Sequence, residues 1–440
     1  MRNNVGPWLS VMFVPALALA CTPDYREENG DSMLSAAPQE TGTEDGEEDD
    51  GTTVLPTATG SGTAVGSGEV DTTAASDTAP PVFDLNMPPD IPLDCNKDGG
   101  AGGDPDQSYI WISNSNEGTI SKINTETMIE EGRYMTRPGP NGNPSRTSVN
   151  FNGDVAVANR EGGITKIFAK PQDCPDPTNT STGPDDVKPW PDGCIDWYIP
   201  FPYASQRPIA WTQGEYNKDT CRYDNTKVWT SGYNTSIDVL LLDGDTGTVD
   251  STIAIGGGVD PGEFGFYGGA VDGESNFWAS QIGNGHLLRV NRETLAWDVW
   301  LTPTYAYGIT VDHMGQVWTC HDDAARFDPM TELWDVAVGV GGNGGCMEDG
   351  EGTLWIANNP IVGVDIMTME VTQTIDLPHY VHGISIDFRG NVWAPAIFDN
   401  RAYRVDPTNG SFNSVTGLNN PYTYSDMTGF ALSIAGGIPG

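Results

Sequence analysis

Positive charge is scarce in this 440-residue chain: 21 Lys and Arg stand against 61 Asp and Glu, a formal net charge of −40. The acidity is shared, with 20 Asp/Glu against 2 Lys/Arg in residues 22–106 and 41 against 18 in residues 107–440. Nucleic acid and anionic membrane surfaces both repel such a chain, so neither is expected as a direct partner. Long apolar runs are also lacking. Beyond the stretch Val5–Leu19, none reaches the length that spans a bilayer. Catalytic fingerprints are absent as well: there is no nucleophile elbow, phosphate-cradling loop, H-E-x-x-H or dinucleotide-binding glycine motif. Cysteine is sparse, seven in all.

What the first hundred residues do contain points to export. Arg2, the apolar core and the small residues that follow read as a secretion signal over residues 1–20. A-L-A-C at Ala18–Cys21 resembles a bacterial lipobox, with Leu17 four residues before the cysteine rather than three. Lipidation of Cys21 would leave six cysteines, an even number suited to an oxidising compartment. Residues 21–106 are Thr, Ser, Gly, Pro and acidic, and bury too little apolar surface to offset chain entropy. They read as a disordered, self-repelling tether that touches the membrane through the lipid alone. D-C-N-K-D-G at Asp94–Gly99 has the spacing of a calcium loop, but Pro105 stands where the closing carboxylate belongs, so it reads as linker. The expected location is the bacterial cell envelope, on the outer membrane or cell surface.

From residue 107 to 440 the chain repeats itself. Y-G-I-T-V-D-H-M-G-Q-V-W (307–318), G-G-C-M-E-D-G-E-G-T-L-W (344–355) and H-G-I-S-I-D-F-R-G-N-V-W (382–393) bring Trp318, Trp355 and Trp393 to the same place every 37 to 38 residues. In each unit apolar residues alternate with polar ones, a half-buried strand, then a Gly turn leads into a returning strand. An R-F-D-P or R-V-D-P ending (Arg326–Pro329, Arg404–Pro407) closes a third. About four short strands in roughly 40 residues make one blade of an all-β propeller. First strands at 146–150, 207–211, 268–272, 308–312, 345–349, 383–387 and 429–433 count seven blades. The folded region opens on a second strand at Tyr109, so a C-terminal strand at 427–434 is expected to join it and close the ring. An excess near 171–203 carries Cys174 and Cys194 and reads as a stapled surface insertion, a candidate element for a partner. Cys320 ends one strand and Cys346 begins the next blade, so a bridge between them is expected. Sequence alone does not pair the other four; Cys174–Cys194 with Cys95–Cys221 is the arrangement favoured.

The G-I-x-x-D-x-x-G-x-V-W repeat with its R-x-D-P ending resembles the streptogramin B lyase family and related NHL-type propellers, best over 265–407. WD40 signals are missing from every blade. The resemblance implies a seven-bladed propeller and a metal-assisted, lactone-opening elimination with His and Glu around an axial pocket. His382 matches the family's H-G-I start, but Tyr380 stands where its Glu would be. Three residues after the repeat Trp, where the family has Glu, come His321, Asn358 and Ala396, and Gln281 and Asn114 hold that place in other blades. Amides cannot move protons. A lyase here would use His382 as base with His321 assisting, and only that reading calls for a divalent metal; otherwise no cofactor is expected.

The residues before the first-strand glycines should face the axis at one mouth: Ser145, Arg207, Tyr267, Tyr307, Gly344, His382 and Thr428. Asn114, Asn159, Gln281, His321 and Asn358 end the second strands. Aromatic walls with amides, Arg207 and His382 suit a small polar or carbohydrate-like ligand. The reading favoured is a binding or scaffold propeller for such a ligand or for an envelope protein. The lyase-like enzyme and a purely structural envelope protein are the alternatives. Nothing in the sequence sets an oligomeric state.

Overall fold

A computed structural model describes residues 108–435 except 218 and 221. The signal at 1–20, Cys21, the tether, Asp94–Gly99, Cys95 and Cys221 lie outside the described residues.

The repeat motif is a turn device. In blade 5, Asp312 accepts the backbone N–H groups of Met314 and Gln316 on Oδ1, both at 2.9 Å, and the Trp318 indole N–H on Oδ2 at 2.8 Å. Gly315 takes the left-handed φ of +79° that the turn needs. Asp272, Asp349 and Asp387 bind Trp278, Trp355 and Trp393 in the same way, at 2.9, 3.1 and 2.8 Å. One carboxylate thus fixes the turn and orients the buried ring six residues on. Blade 2 keeps the turn on Asn150, which accepts from Asn152 and Asp154, and has Ala156 where the others have Trp. At the far end of the third strand, Asp328, Asp365 and Asp406 cap the next turn through N–H groups two residues on.

Six four-stranded antiparallel sheets and one three-stranded sheet form the seven blades. A small extra hairpin, Glu215–Asn217 with Arg222–Asp224, stands apart from them. Inner strands run Pro144–Val149, Ser205–Trp211, Gly268–Val271, Gly308–Val311, Cys346–Glu348 and Ser385–Ile386 in blades 2 to 7. Trp111, Trp229, Trp278, Trp318, Trp355 and Trp393, on the second strands, are all sealed from solvent. Truncating such a ring costs about 3–5 kcal/mol.

Blade 1 has only Tyr109–Asn114, Thr119–Asn124 and Glu130–Met135. The C-terminal segment completes it, but not as a strand over 427–434. Residues 420–427 lie along the first strand, with Trp111 N–H donating to Met427 O at 2.9 Å and Ser115 N–H to Asn420 O at 3.1 Å. The chain then turns at Gly429 (φ +87°) into a short helix, Phe430–Ile434. Asp426 drives that change by accepting the N–H groups of Thr428, Gly429 and Leu432. The F-A-L-S-I pattern reads equally as strand or helix because Phe430 and Leu432 are buried in two different clusters. Ala431 and Leu432 line one end of the axis, where a cavity of about 30 Å³ is walled by inner strands of blades 2 to 6.

Both disulfides among the described residues are those expected, Cys174–Cys194 and Cys320–Cys346. The span 171–203 opens on a 3-10 turn at Pro171–Asp173 and includes the outer strand of blade 2, Ile195–Ile199. Between them, Asp192 accepts from Thr180, Ser181 and Cys194, which ties residues 180–181 of the insertion to the turn before Cys194.

Candidate functional site: an aromatic plug around the axis

The other end of the axis is filled, not open. Tyr267 and Tyr307 enter from just before the inner strands of blades 4 and 5, His382 from blade 7, and Tyr422 and Tyr424 from the closing segment. A chain of short hydrogen bonds runs through them: Tyr267 to Tyr422 at 2.7 Å, Tyr422 to Tyr307 at 2.6 Å, Tyr307 to His382 Nε2 at 2.6 Å, and His382 Nδ1 to Tyr380 at 2.7 Å.

The proton direction follows from its last link. The single Tyr380 hydroxyl proton goes to Asn343 O at 2.7 Å. Tyr380 therefore accepts from His382 Nδ1–H, which leaves Nε2 to accept from Tyr307. Tyr307 in turn accepts from Tyr422, and Tyr422 from Tyr267. This needs a neutral imidazole, and burial, aided by the nearby Arg146 charge, pushes His382 down to about 3. Burial also raises Tyr267, Tyr307 and Tyr380 above the ordinary phenol value, so all stay protonated.

Arg207 lies across this plug, its guanidinium 4.4 Å from the Phe264 ring centre and 4.8 Å from that of Tyr267. The Gln281 side chain joins two loops: its amide donates to Asp260 O at 2.7 Å and its oxygen accepts from His286 N at 2.9 Å. Asn114 donates to Ser121 at 2.8 Å and accepts from Asn419 N at 2.9 Å. Asn358 donates to Gly341 O at 2.6 Å, and Asn159 bonds Thr136 and Gly163. These four amides are loop ties, whereas Arg207, Tyr267, Tyr307 and His382 come together. His321 stands beside them, its ring 4.5 Å from that of Tyr305 and 6.4 Å from that of Tyr307, with its basicity lowered by burial.

The residue that sequence reasoning missed is Arg146. By pairing register it occupies the place of Gly308, where an added Cβ would sit 2.9 Å from Cys346 N. In blade 2 the ladder slips between Pro144 and Arg146, a bulge that shifts the inward-facing position from Ser145 to Arg146. Its guanidinium carbon lies 3.1 Å from the Tyr424 ring centre and 4.8 Å from that of Tyr267. Burial lowers its pKa to about 10. Tyr422 and Tyr424 were missed too, because Asn419–Tyr424 belongs to no repeat; its only signal was a pair of tyrosines two residues apart.

No protein-family profile and no curated protein matches the chain. Solved propellers do. A streptogramin B lyase is 16% identical over 66% of this chain and 91% of its own, with a TM-score of 0.49. Virginiamycin B lyase from Staphylococcus aureus is 14% identical over 64% and 87%, with a TM-score of 0.48. The WD40 repeats of RRP9 are 9% identical over 66% and 84%, with a TM-score of 0.51. The likeness is one of fold. Identities this low say nothing of activity.

The axial residues do not fit a metal centre. Both His382 nitrogens are engaged by tyrosines, and no group of three or more His, Cys, Asp or Glu side chains converges among the described residues. Tyrosine hydroxyls with raised pKa values are poor ligands for the divalent ion a lyase would use.

Proposed function

We propose that the chain is an exported lipoprotein, held on the bacterial envelope by a lipid on Cys21 and the tether 21–106. Its propeller acts as a binding module for a small polar or carbohydrate-like ligand, or for an envelope protein that presents one. One observation carries binding over catalysis: His382, the residue best matched to the lyase pattern, has both ring nitrogens hydrogen-bonded and sits near pKa 3. A base that weak has little driving force at neutral pH, and Tyr380 supplies no carboxylate beside it. Tyr, Arg and Phe side chains around the axis instead suit a ligand with both polar groups and an apolar face.

The test is a ligand screen by calorimetry on the full-length protein beside a His321→Ala/His382→Ala double variant, with lactone-opening assays on both. The binding reading expects a ligand whose affinity falls in the variant, with no turnover of cyclic esters by either protein. Metal-dependent turnover by the wild type, lost in the variant, would overturn it.

A further inference from the structure

Arg146 is fully enclosed, yet its Nε, Nη1 and Nη2 all lack a hydrogen-bond acceptor. A buried guanidinium in that state is costly, and proteins normally satisfy it with a carboxylate, a phosphate or backbone oxygens. Here the neighbours are aromatic faces and a second cation. Tyr424 lies under the guanidinium, Tyr267 and Tyr422 flank it, and the Arg207 charge is close enough to oppose it. The Tyr424 hydroxyl and the Thr423 hydroxyl, on the same closing segment, are buried and unpartnered as well, as is the Ser145 hydroxyl next to Arg146. Three guanidinium nitrogens and three hydroxyls of adjoining residues are thus buried with no hydrogen-bond partner, in a chain of net charge −40 that has carboxylates in abundance.

We propose that the axis of the propeller holds a site for a small oxyanion, a carboxylate or phosphate borne by a polar molecule, with Arg146 as its principal ligand. This deepens the binding-module reading and rests on it. The planar fork of Arg146 matches two oxygens of one anion, and its three nitrogens supply the donors. The Tyr424 ring lies against the guanidinium, and Arg207 adds a second positive charge from the adjoining blade. The Tyr267–Tyr422–Tyr307 hydroxyl chain forms the cover. An anion reaches the site when the Tyr422 side chain rotates out of this cover, while residues 420–427 stay bonded along the first strand at Asn420 and Met427.

The experiment measures thermal unfolding and calorimetric titration of the full-length protein with acetate, glucuronate, inorganic phosphate and neutral glucose, at constant ionic strength in chloride. Wild type is expected to show a saturable rise in Tm with at least one anion and less with glucose. Response to acetate and glucuronate alone assigns a carboxylate; response to phosphate alone assigns a phosphate. Arg146→Met should fold at least as stably, since it removes an unsatisfied buried charge, and should lose affinity by about tenfold or more. Arg146→Lys, which keeps the charge but not the fork, should fall between. No response to any anion in wild type, or an unchanged response in Arg146→Met, overturns the site. If glucose or an envelope partner still binds in that case, the binding-module reading survives while the anion site does not.

Discussion

The carboxylate of Asp312 makes three hydrogen bonds inside one turn of blade 5, at 2.9, 2.9 and 2.8 Å. Replacing it by Ala removes the acceptors for two backbone N–H groups and leaves the sealed Trp318 indole N–H unpartnered. Two turn bonds are worth about 1 kcal/mol each, and an orphaned buried donor costs about 1–3 kcal/mol, so Asp312→Ala should destabilise by about 4 kcal/mol. A correction works the other way: burial raises the Asp312 pKa, so the native carboxylate is itself partly strained by its enclosure. Asp312→Asn should therefore cost less, about 2 kcal/mol, because its oxygen can still hold the turn while its amide opposes the indole donor. Blade 2 is the natural control, with Asn150 in the turn and Ala156 where the indole would be. Urea unfolding at pH 7, followed by Trp fluorescence with the slope m unchanged, reads these differences. An Asp312→Ala variant within about 0.5 kcal/mol of wild type would refute the account of the repeat.

Three further outcomes follow from other parts of the ring. Cys320→Ala/Cys346→Ala opens a bridge of sequence separation 26 between neighbouring blades, and chain entropy puts its loss at about 3–4 kcal/mol in denaturant unfolding. Burial raises Asp426 to about 6, so its contribution is fully present below the unfolded value near 3.8 and is lost as pH rises through 6. Asp426→Asn should thus gain on wild type as pH goes from 4 to 7, by about 2 kcal/mol. A gap that stays flat with pH would refute that cause. His313 donates to the enclosed Glu348 at 3.0 Å, and that bond raises its pKa above 6.5. Stability from the pair is present below pH 6.5 and lost as pH rises through the folded value, so the deficit of His313→Gln should shrink between pH 6 and pH 9 in the same assay.

The repeat was legible because each of its positions answers to one local cause. Asp, Gly and Trp at fixed spacing encode a turn, a positive φ and a ring held by the same carboxylate, so the blade count and the inner strands of blades 2 to 7 could be read from three good copies and their weaker repeats. Cys320–Cys346 was legible for a related reason, since blade geometry fixes where strand ends meet. The C-terminal helix was not, because alternation over five residues does not separate strand from helix and Asp426 decides the matter through backbone bonds. The axis was the least legible part. Tyr267, Tyr307, Arg207 and His382 were found from their place before the inner strands, but a one-residue bulge hid Arg146 behind Ser145. The amides of Asn114, Gln281 and Asn358 looked like ligand groups because the sequence does not reveal that their own loops use them.

The most direct test of the axial account is the protonation state of His382, read from ¹⁵N shifts of histidine-labelled protein with His382→Gln as the assignment control. We expect a neutral ring, protonated on Nδ1 and accepting on Nε2, that does not titrate until the pH falls to about 4 or below. A His382 that titrates near its ordinary value of 6.5, or that carries its proton on Nε2, would contradict the tyrosine chain and restore a free base to the axis.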